Sequence, residues 1–484
     1  MKKLTDILKN TPVREVCGDT AAAIGGLVYD SRAVKPGDCF FAVPGTQSDG
    51  HDYIPMAVEK GAAAIVCERM PADAAEGVAY VLVGDSAGAM ANMAAAFYDY
   101  PSRELKLVGI TGTNGKTTTA TLLYDLVRAM GYKAGLISTV VYKIDGREVE
   151  ATHTTPDSIR LNAMMREMAD AGCAYCFMEC SSHAIVQERT RGLDFAGGIF
   201  SNITHDHLDY HKTFAEYIRA KKLFFDGLPK GAFALTNADD RNGRVMVQNT
   251  AAAVSAYSLR AMADFRCKIV EMHLDGMLLR IDGQELWVGL LGRFNAYNLL
   301  AVYGAAALLG LDRGEVLRVL SMLHAVSGRF EKIRAANGTT AIVDYAHTPD
   351  ALENVIQTIE EIRTPSQQLI VVCGCGGDRD RTKRPEMAAI AVKYATTAVF
   401  TSDNPRHESP EAILDDMVAG LEPGARYLRI ADRAEAIRTA VMLSRPGDII
   451  LVAGKGHETY QIVGDVKHPF DDREEIKKRF ALLN

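Results

Sequence analysis

"LVGITGTNGKTTTA" (Leu107–Ala120) is the stretch on which the fold turns. An apolar run ends in a glycine turn, and a helix-compatible stretch starts at Lys116. Strand, glycine loop and helix in that order form a phosphate cradle, because loop N–H groups and the helix N-terminus face the anion. Gly112, Thr113, Asn114, Gly115, Lys116, Thr117 and Thr118 are the candidate phosphate-loop residues. Lys116 is placed to reach terminal phosphates, and the Thr117 hydroxyl to ligate Mg²⁺. The spacing departs from GxxxxGK[ST]: Gly109 comes one residue early, and Ile110 stands where glycine is expected. The loop predicts nucleotide binding but does not choose among motor, switch and synthetase.

Downstream, short apolar runs recur at "KAGLIST" (133–139), "AYCFMEC" (174–180), "GGIFSNI" (197–203) and "GAFALTN" (231–237), with helical stretches between them. That rhythm predicts a largely parallel sheet. After the helical "NAYNLLAVYGAAALLG" (295–310), a boundary falls in "HAVSGRFEKI" (324–333). The α/β rhythm then resumes at "TAIVDYAH", "QLIVVCGCGGDRD", "TAVFTSDNPR" and "DIILVAGKGHE". Each run ends in a polar turn, and in open α/β sheets ligands sit beyond the carboxyl ends of strands. Upstream, "GLVYDSRAVKPGDCFFAV", "GAAAIVCE" and "AYVLVGDS" read as short strands, closed by an alanine-rich helix before Pro101. The expectation is an α/β protein of three domains, 1–100, 101–325 and 326–484. The 484-residue length agrees with about 150 residues per domain.

Composition narrows the partners. A net charge of −7 argues against nucleic acid or an anionic membrane. No run approaches the ~18 apolar residues of a membrane span. "MKKLTDILKN" lacks the apolar core of a signal peptide. The nine cysteines are scattered; Cys173/Cys176 and Cys373/Cys375 join no second pair at zinc-site spacing. Reduced thiols in a cytoplasmic protein are the expectation.

Two stretches near the phosphate loop carry metal chemistry. "CFMECSSHA" puts Glu179 at a strand end, and "SNITHDHLDYH" gathers His205, Asp206, His207, Asp209 and His211. The histidines alone admit zinc, or solvated loop residues; oxygen donors beside a nucleotide favour Mg²⁺. In "TFAEYIRAKKLFFDGL" a helical wheel sets Phe214, Ile218, Lys221, Phe225 and Leu228 on one stripe. A lysine on an apolar face must be paired, deprotonated, modified or snorkelling. A desolvated amine can take up CO₂ as a carbamate, which could hold a second Mg²⁺.

GTNGKTT (112–118), HTTP (153–156), ECSSHA (179–184), NITHDHLDYH (202–211), AK (220–221), NAYN (295–298), SGRFE (327–331), DYAHTP (344–349), GCGGDRD (374–380), DNPR (403–406) and GKGHE (454–458) occur in that order. Together they resemble the Mur ligase family of peptidoglycan synthesis, within it the ligases adding the third residue of the stem peptide. The resemblance covers essentially the whole chain. It implies a uridine-nucleotide domain, a central P-loop ATPase with a mostly parallel sheet, and a C-terminal Rossmann-like domain that brings the amino acid. The substrates implied are ATP, UDP-N-acetylmuramoyl-L-alanyl-D-glutamate and meso-diaminopimelate, with two Mg²⁺ ions, a carbamate on Lys221 and a monomeric enzyme. Lys116, Glu179, His207 and Lys221 become the catalytic set, and Thr117, Glu179, His207 and carbamylated Lys221 the metal ligands. Asn295, Asn298, Arg329 and Asp344 resemble nucleotide contacts. Ser31, Thr46, Gln47, Ser48, Thr154, Thr155, Ser181, Gln187 and Arg189 resemble contacts to the UDP-sugar peptide. Arg379, Asp403, Asn404, Pro405, Arg406, Gly454 and Glu458 resemble the diaminopimelate site.

In this family DNPR accompanies the diaminopimelate-adding enzymes, and a different residue replaces the arginine in those that add L-lysine. Diaminopimelate is lysine with a second carboxylate at its far end, which a guanidinium holds in a bidentate pair. Lysine would leave Arg406 buried and unpaired, at about 3–5 kcal/mol. His347 is a candidate base for the amine, and Gly328 a candidate hinge. The alternatives are an L-lysine-adding ligase, a folylpolyglutamate synthase-like ligase and an ATP-driven switch.

Overall fold

The computed structural model describes residues 1–45, 48–151, 153–204 and 208–483; Thr46, Gln47 and His205–His207 lie outside them. Three principal sheets follow one another along the chain. The first orders its strands Val13–Cys17, Ala79–Val83, Ala64–Cys67, Cys39–Phe41 and Leu27–Val28, antiparallel only at the first pair. The helix Ser86–Phe97, capped by Asp85, buries its small side chains against this sheet.

The second sheet has eleven strands. Its parallel centre runs Ala134–Ile137, Tyr175–Glu179, Lys106–Thr111, Gly197–Phe200 and Phe233–Asn237. These strands are apolar almost throughout because helices cover both faces. The phosphate-loop strand lies in the middle, with Ile110 opposite Glu179 and Thr111 opposite Phe200. Antiparallel hairpins close both edges: Val141–Ile144 with Arg147–Glu150 at one, and the meander Phe265–His273, Gly276–Ile281, Gln284–Val288 at the other. Strand–helix alternation did not foresee them.

The third sheet orders Glu331–Arg334, Thr340–Asp344, Ile449–Ala453, Leu369–Cys373, Thr397–Phe400 and Tyr427–Arg429, parallel except for the first pair. Register sets Asp344 opposite Ala453 and Cys373 opposite Phe400. The turns DYAHTP, GCGGDRD, DNPR and GKGHE therefore leave the same end of this sheet, at the carboxyl ends of four parallel strands. Among the described residues no helix is long and apolar enough to cross a membrane.

Candidate active site

The phosphate loop is held open by its neighbours. Gly112 has φ +149°, and a Cβ there would fall 2.0 Å from Ser201 Oγ. Gly115 has φ +86°, and its Cβ would meet Asn298 Oδ1 at 2.5 Å. Neither position accepts a side chain, and glycine there lets the loop pack directly against Ser201 and Asn298. Asn202 ties the loop at two adjacent residues: its carbonyl accepts from Thr113 N (2.8 Å), and its side-chain oxygen from Asn114 N (2.9 Å). Lys116 Nζ folds back to donate to the Gly112 and Thr113 carbonyls, both at 2.9 Å. Thr117 and Thr118 are buried at the start of the helix Lys116–Ala129.

Glu179 is 1% exposed and accepts from Thr139, from the backbone N–H at 2.7 Å and from the hydroxyl at 3.1 Å. Lys221 is also 1% exposed. Its helix, Phe214–Asp226, starts at the capping residue Thr213 and buries Tyr217, Ala220, Phe224 and Phe225 beside it. Lys221 Nζ donates to the Gly112 carbonyl at 2.8 Å and sits 4.6 Å from the Tyr217 ring centre. Lys221 thus lies under the phosphate loop, with no room to snorkel. His211 Nε2 lies 2.9 Å from Ser182 Oγ. His207 falls outside the described residues. The oxygen donors present, the Thr117 hydroxyl and Glu179 carboxylate, suit Mg²⁺ rather than a soft metal.

A cavity of about 310 Å³ opens beside the loop. Asn114, Gly115, Thr118, Asn298, Arg329 and Asp344 line it. Asn295 does not: its amide donates to the Leu291 carbonyl and its oxygen accepts from Asn298, which it orients. Asp344 accepts from the Phe330 and Ala346 N–H groups (2.7 and 2.8 Å), and burial raises its pKa. Arg329 crosses from the third-sheet segment to donate to Thr117 Oγ1 at 3.2 Å, its guanidinium 4.7 Å from the Tyr345 ring centre. Asp350, which sequence reading passed over, also crosses: its carboxylate accepts from Asn114 Nδ2 at 2.8 Å, and burial raises its pKa. An acid in the first turn of the helix Pro349–Ile362 reads from sequence as dipole complementation only.

A second cavity, about 820 Å³, adjoins the first, and Tyr345 and His347 line both. Arg379, Asp403, Asn404, Arg406, Gly454 and Glu458 form one side; Thr154 and His183 of the central segment face them. Pro405 does not line the space. It shapes the turn, where its carbonyl lies so close to Gly377 that a Cβ there would sit 1.9 Å away. Arg406 takes left-handed φ of +50°. The hairpin Tyr460–Val463/Val466–Pro469 holds it there: Arg406 N–H donates to the Ile462 carbonyl (3.1 Å), and its carbonyl accepts from Gly464 N–H (2.8 Å). The guanidinium donates to the Gly377 carbonyl at 2.8 Å. Burial, and then neighbouring Arg379, pull its pKa below the usual arginine value. Gln461 Nε2 donates to the Asp403 carbonyl (2.6 Å), and Ile462 N–H to Asn404 Oδ1 (2.9 Å). Sequence reading missed Gln461 and Lys455, although Lys455 stands inside the quoted GKGHE. Behind the turns, Arg433 and Asp472 form a fully buried two-bond pair, both contacts at 2.7 Å. Arg433 also donates to the carbonyls of Ser402 and Ala453, the residues preceding DNPR and GKGHE.

The candidate UDP-substrate residues divide. Thr154, Thr155, Ser181, Gln187 and Arg189 form one connected group. Thr155 Oγ1 donates to the Glu179 carbonyl (2.7 Å), and Arg189 donates to the Thr155 carbonyl (2.6 Å) and the Gln187 side chain. Ser181 caps the short helix Ser182–Val186. Ser31 is buried in the first segment, its hydroxyl against Met56 sulfur, and Ser48 is exposed. Thr46 and Gln47 lie outside the described residues. At the SGRFE turn Gly328 packs against Gly456 and His457, where a Cβ would come 2.0 Å from His457 N.

Comparison with known proteins agrees with this arrangement along the chain. Residues 23–98 match the catalytic domain of the Mur ligase family, 110–306 the Mur ligase middle domain, and 328–456 the glutamate ligase domain of Mur ligases. The chain belongs to the Mur ligase family. It is 55% identical to the UDP-N-acetylmuramoyl-L-alanyl-D-glutamate–2,6-diaminopimelate ligase of Phocaeicola vulgatus, over 99% of each chain. The enzyme of the same name from Bacteroides fragilis is 55% identical, again over 99% of each. A solved structure of a ligase with that name superposes with a TM-score of 0.71 at 31% identity, covering 100% of this chain and 99% of the other.

Proposed function

We propose that this protein is an ATP-dependent ligase that joins meso-diaminopimelate to the D-glutamyl γ-carboxylate of UDP-N-acetylmuramoyl-L-alanyl-D-glutamate in cytoplasmic peptidoglycan synthesis. The observation that carries the reading is the pair of cavities with a common wall at Tyr345 and His347. A phosphate loop serves one; cationic Arg379 and Arg406 with anionic Asp403 and Glu458 serve the other. That second set matches a zwitterion with a carboxylate and an ammonium at its far end. The names of the close relatives support the same substrates. Domains 1–100, 101–325 and 326–484, which the order of the three sheets supports, belong to this proposal, as does a monomeric enzyme.

In the reaction the γ-carboxylate attacks the ATP γ-phosphate, giving an acyl phosphate and ADP. The diaminopimelate amine then attacks the acyl carbon, and phosphate leaves. Gly112–Gly115 N–H groups and Lys116 hold the transferring phosphoryl group, and positioning supplies most of the rate. Asn298, Arg329 and Asp344 bind the nucleotide; Thr154, Thr155, Ser181, Gln187 and Arg189 bind the UDP substrate, with Ser31 and Ser48 toward its uridine end. Thr117, Glu179, His207 and a carbamate on Lys221 would hold two Mg²⁺ ions, which neutralise phosphate and carboxylate charge. His347 Nδ1 lies 2.8 Å from the Tyr345 carbonyl. A carbonyl only accepts, so the proton sits on Nδ1 and Nε2 is the basic nitrogen, fit to take a proton from the incoming amine. Closure about Gly328 brings the third sheet onto the central one.

The test is phosphate release from ATP with the UDP-dipeptide present, offering meso-diaminopimelate or L-lysine at equal concentration. Release dependent on diaminopimelate and weak with lysine is expected. Equal use of both would remove the specificity, and release with neither would remove the reaction.

A further inference from the structure

Lys455 lies directly behind the amino-acid cavity, in contact with its lining residues Asp403, Asn404 and Glu458, and has no place in the reading above. It is 0% exposed. Its ammonium donates to Asn404 Oδ1 at 2.9 Å and to Glu458 Oε2 at 3.0 Å, and lies 3.5 Å from Asp403 Oδ1. An ammonium stays buried only where anions and acceptors surround it. Lys455 therefore stands behind the site, against the two carboxylates that the cavity presents to its ligand. Asp403 Oδ1 is buried without a hydrogen-bond partner among the described residues.

The charges can be counted. Asp403 and Glu458 contribute two negatives, and Lys455 and Arg406 two positives. Of the other buried charges, Arg433 and Asp472 cancel within their own pair, and Arg384, with Arg381 beside it, is offset by Glu408 and Asp416. At the rim Arg379 and Lys383 are offset by Asp380 and Glu386. The pocket is balanced before anything binds. A far end with one carboxylate and one ammonium keeps that balance; a far end with an ammonium alone adds an uncompensated positive charge in a partly desolvated space.

We propose that Lys455 is a specificity-determining positioning residue: it cancels one carboxylate of the Asp403/Glu458 pair, so that the pocket rejects a singly cationic amino-acid end and accepts a zwitterionic one. Arg406 rewards the right ligand by pairing with its carboxylate. Lys455 penalises the wrong one without touching either. The inference rests on the proposed ligase reaction and adds a second determinant to it. Lys455 also fixes the Asn404 amide, because Oδ1 accepts from Lys455 while Nδ2 donates to Glu458 at 2.9 Å.

The experiment measures kcat/KM for meso-diaminopimelate and for L-lysine in the wild-type enzyme, in Lys455→Met, and in Lys455→Met combined with Glu458→Gln. Methionine keeps the volume and removes the charge. The preference for diaminopimelate is expected to fall about tenfold or more in Lys455→Met, with lysine use holding or rising. The double variant, balanced again, is expected to regain part of the preference. A proportional loss for both amino acids, with the ratio unchanged, would show a merely structural lysine and overturn the proposal, as would a double variant no more selective than the single one. If Lys455→Met does not fold, Glu458→Gln alone reads the same balance from the other side. That pocket carries one excess positive charge, so lysine must lose more than diaminopimelate, and the opposite order overturns the idea. Failure of the wild-type enzyme to use either amino acid would count against the ligase reaction instead.

Discussion

Around the nucleotide cavity the anion-facing groups come largely from one continuous stretch, Gly112–Thr118, pinned by Asn202 and joined by Arg329. Around the amino-acid cavity they come from strand ends scattered between Asp344 and Glu458, with a hairpin behind them. The first site is mostly backbone, shaped by two glycines that admit no side chain. The second is mostly side chain, aimed by buried ion pairs. A backbone cradle suits a phosphate that every nucleotide carries; side chains suit a ligand that must be told from a near-identical competitor. Damage should therefore spread differently in the two.

The largest effect is expected at the buried pair. Asp472→Ala leaves Arg433 charged and uncompensated, at about 3–5 kcal/mol of folding stability. Urea unfolding followed by tryptophan-independent circular dichroism would measure it, and a loss below about 1 kcal/mol would deny the pair its part in building the second site. Next comes the cradle: Lys116→Met is expected to lower kcat about 10²–10³-fold with either amino acid, leaving their ratio unchanged. A changed ratio would mean that the two sites are not built independently. Arg406→Ala should do the reverse, lowering diaminopimelate kcat/KM about 10²-fold while calorimetric ADP affinity stays put.

Gln461→Met removes one donor to the DNPR turn and is expected to raise the diaminopimelate KM about tenfold with kcat little changed. A kcat effect without a KM effect would place the hairpin in chemistry rather than in aiming. The smallest expected effect is in pH. Burial, then the nearby Asp403, raise the pKa of Glu458. As pH falls from neutral, Glu458 takes up a proton before an exposed glutamate does, and the ligand ammonium loses an anionic partner. The diaminopimelate KM should rise in mild acid, and that rise should shrink in Glu458→Gln. The folding contribution runs the other way. A carboxyl raised above its unfolded pKa of about 4.3 favours the folded state below that pH, and loses this contribution as pH climbs through the folded value.

What sequence made legible follows the same division. Gly112–Thr117 is contiguous, and its flanking strands are apolar on both faces, so the loop and the parallel centre of the second sheet could be read directly. The four strand-end turns of the last segment could be read too, because each closes a run of apolar residues. The edge hairpins were missed although Asp145-Gly146 and Asp282-Gly283 join their strands through two-residue loops with positive φ at both positions. Asp-Gly is a strong hairpin signal, and it was outweighed by attention to strand–helix alternation. Thr139, Asp350 and Gln461 have no local signature at all. Each matters through a partner far along the chain, Glu179, Asn114 and Asp403 respectively. Lys455 was visible inside a quoted motif, but only its burial between two carboxylates gives it a task.

The Arg433–Asp472 pair also orders events in time. A ribosome that has released the chain through Ala453 has delivered the DNPR turn and the whole third sheet, yet Arg433 has no counterion for its buried seat. Nineteen residues later Asp472 arrives on the helix Asp472–Phe480 and neutralises it. Until then the strand ends at Ser402 and Ala453 hang on an arginine that water holds better than the core does. The amino-acid pocket thus takes its shape only once the helix Asp472–Phe480 has docked.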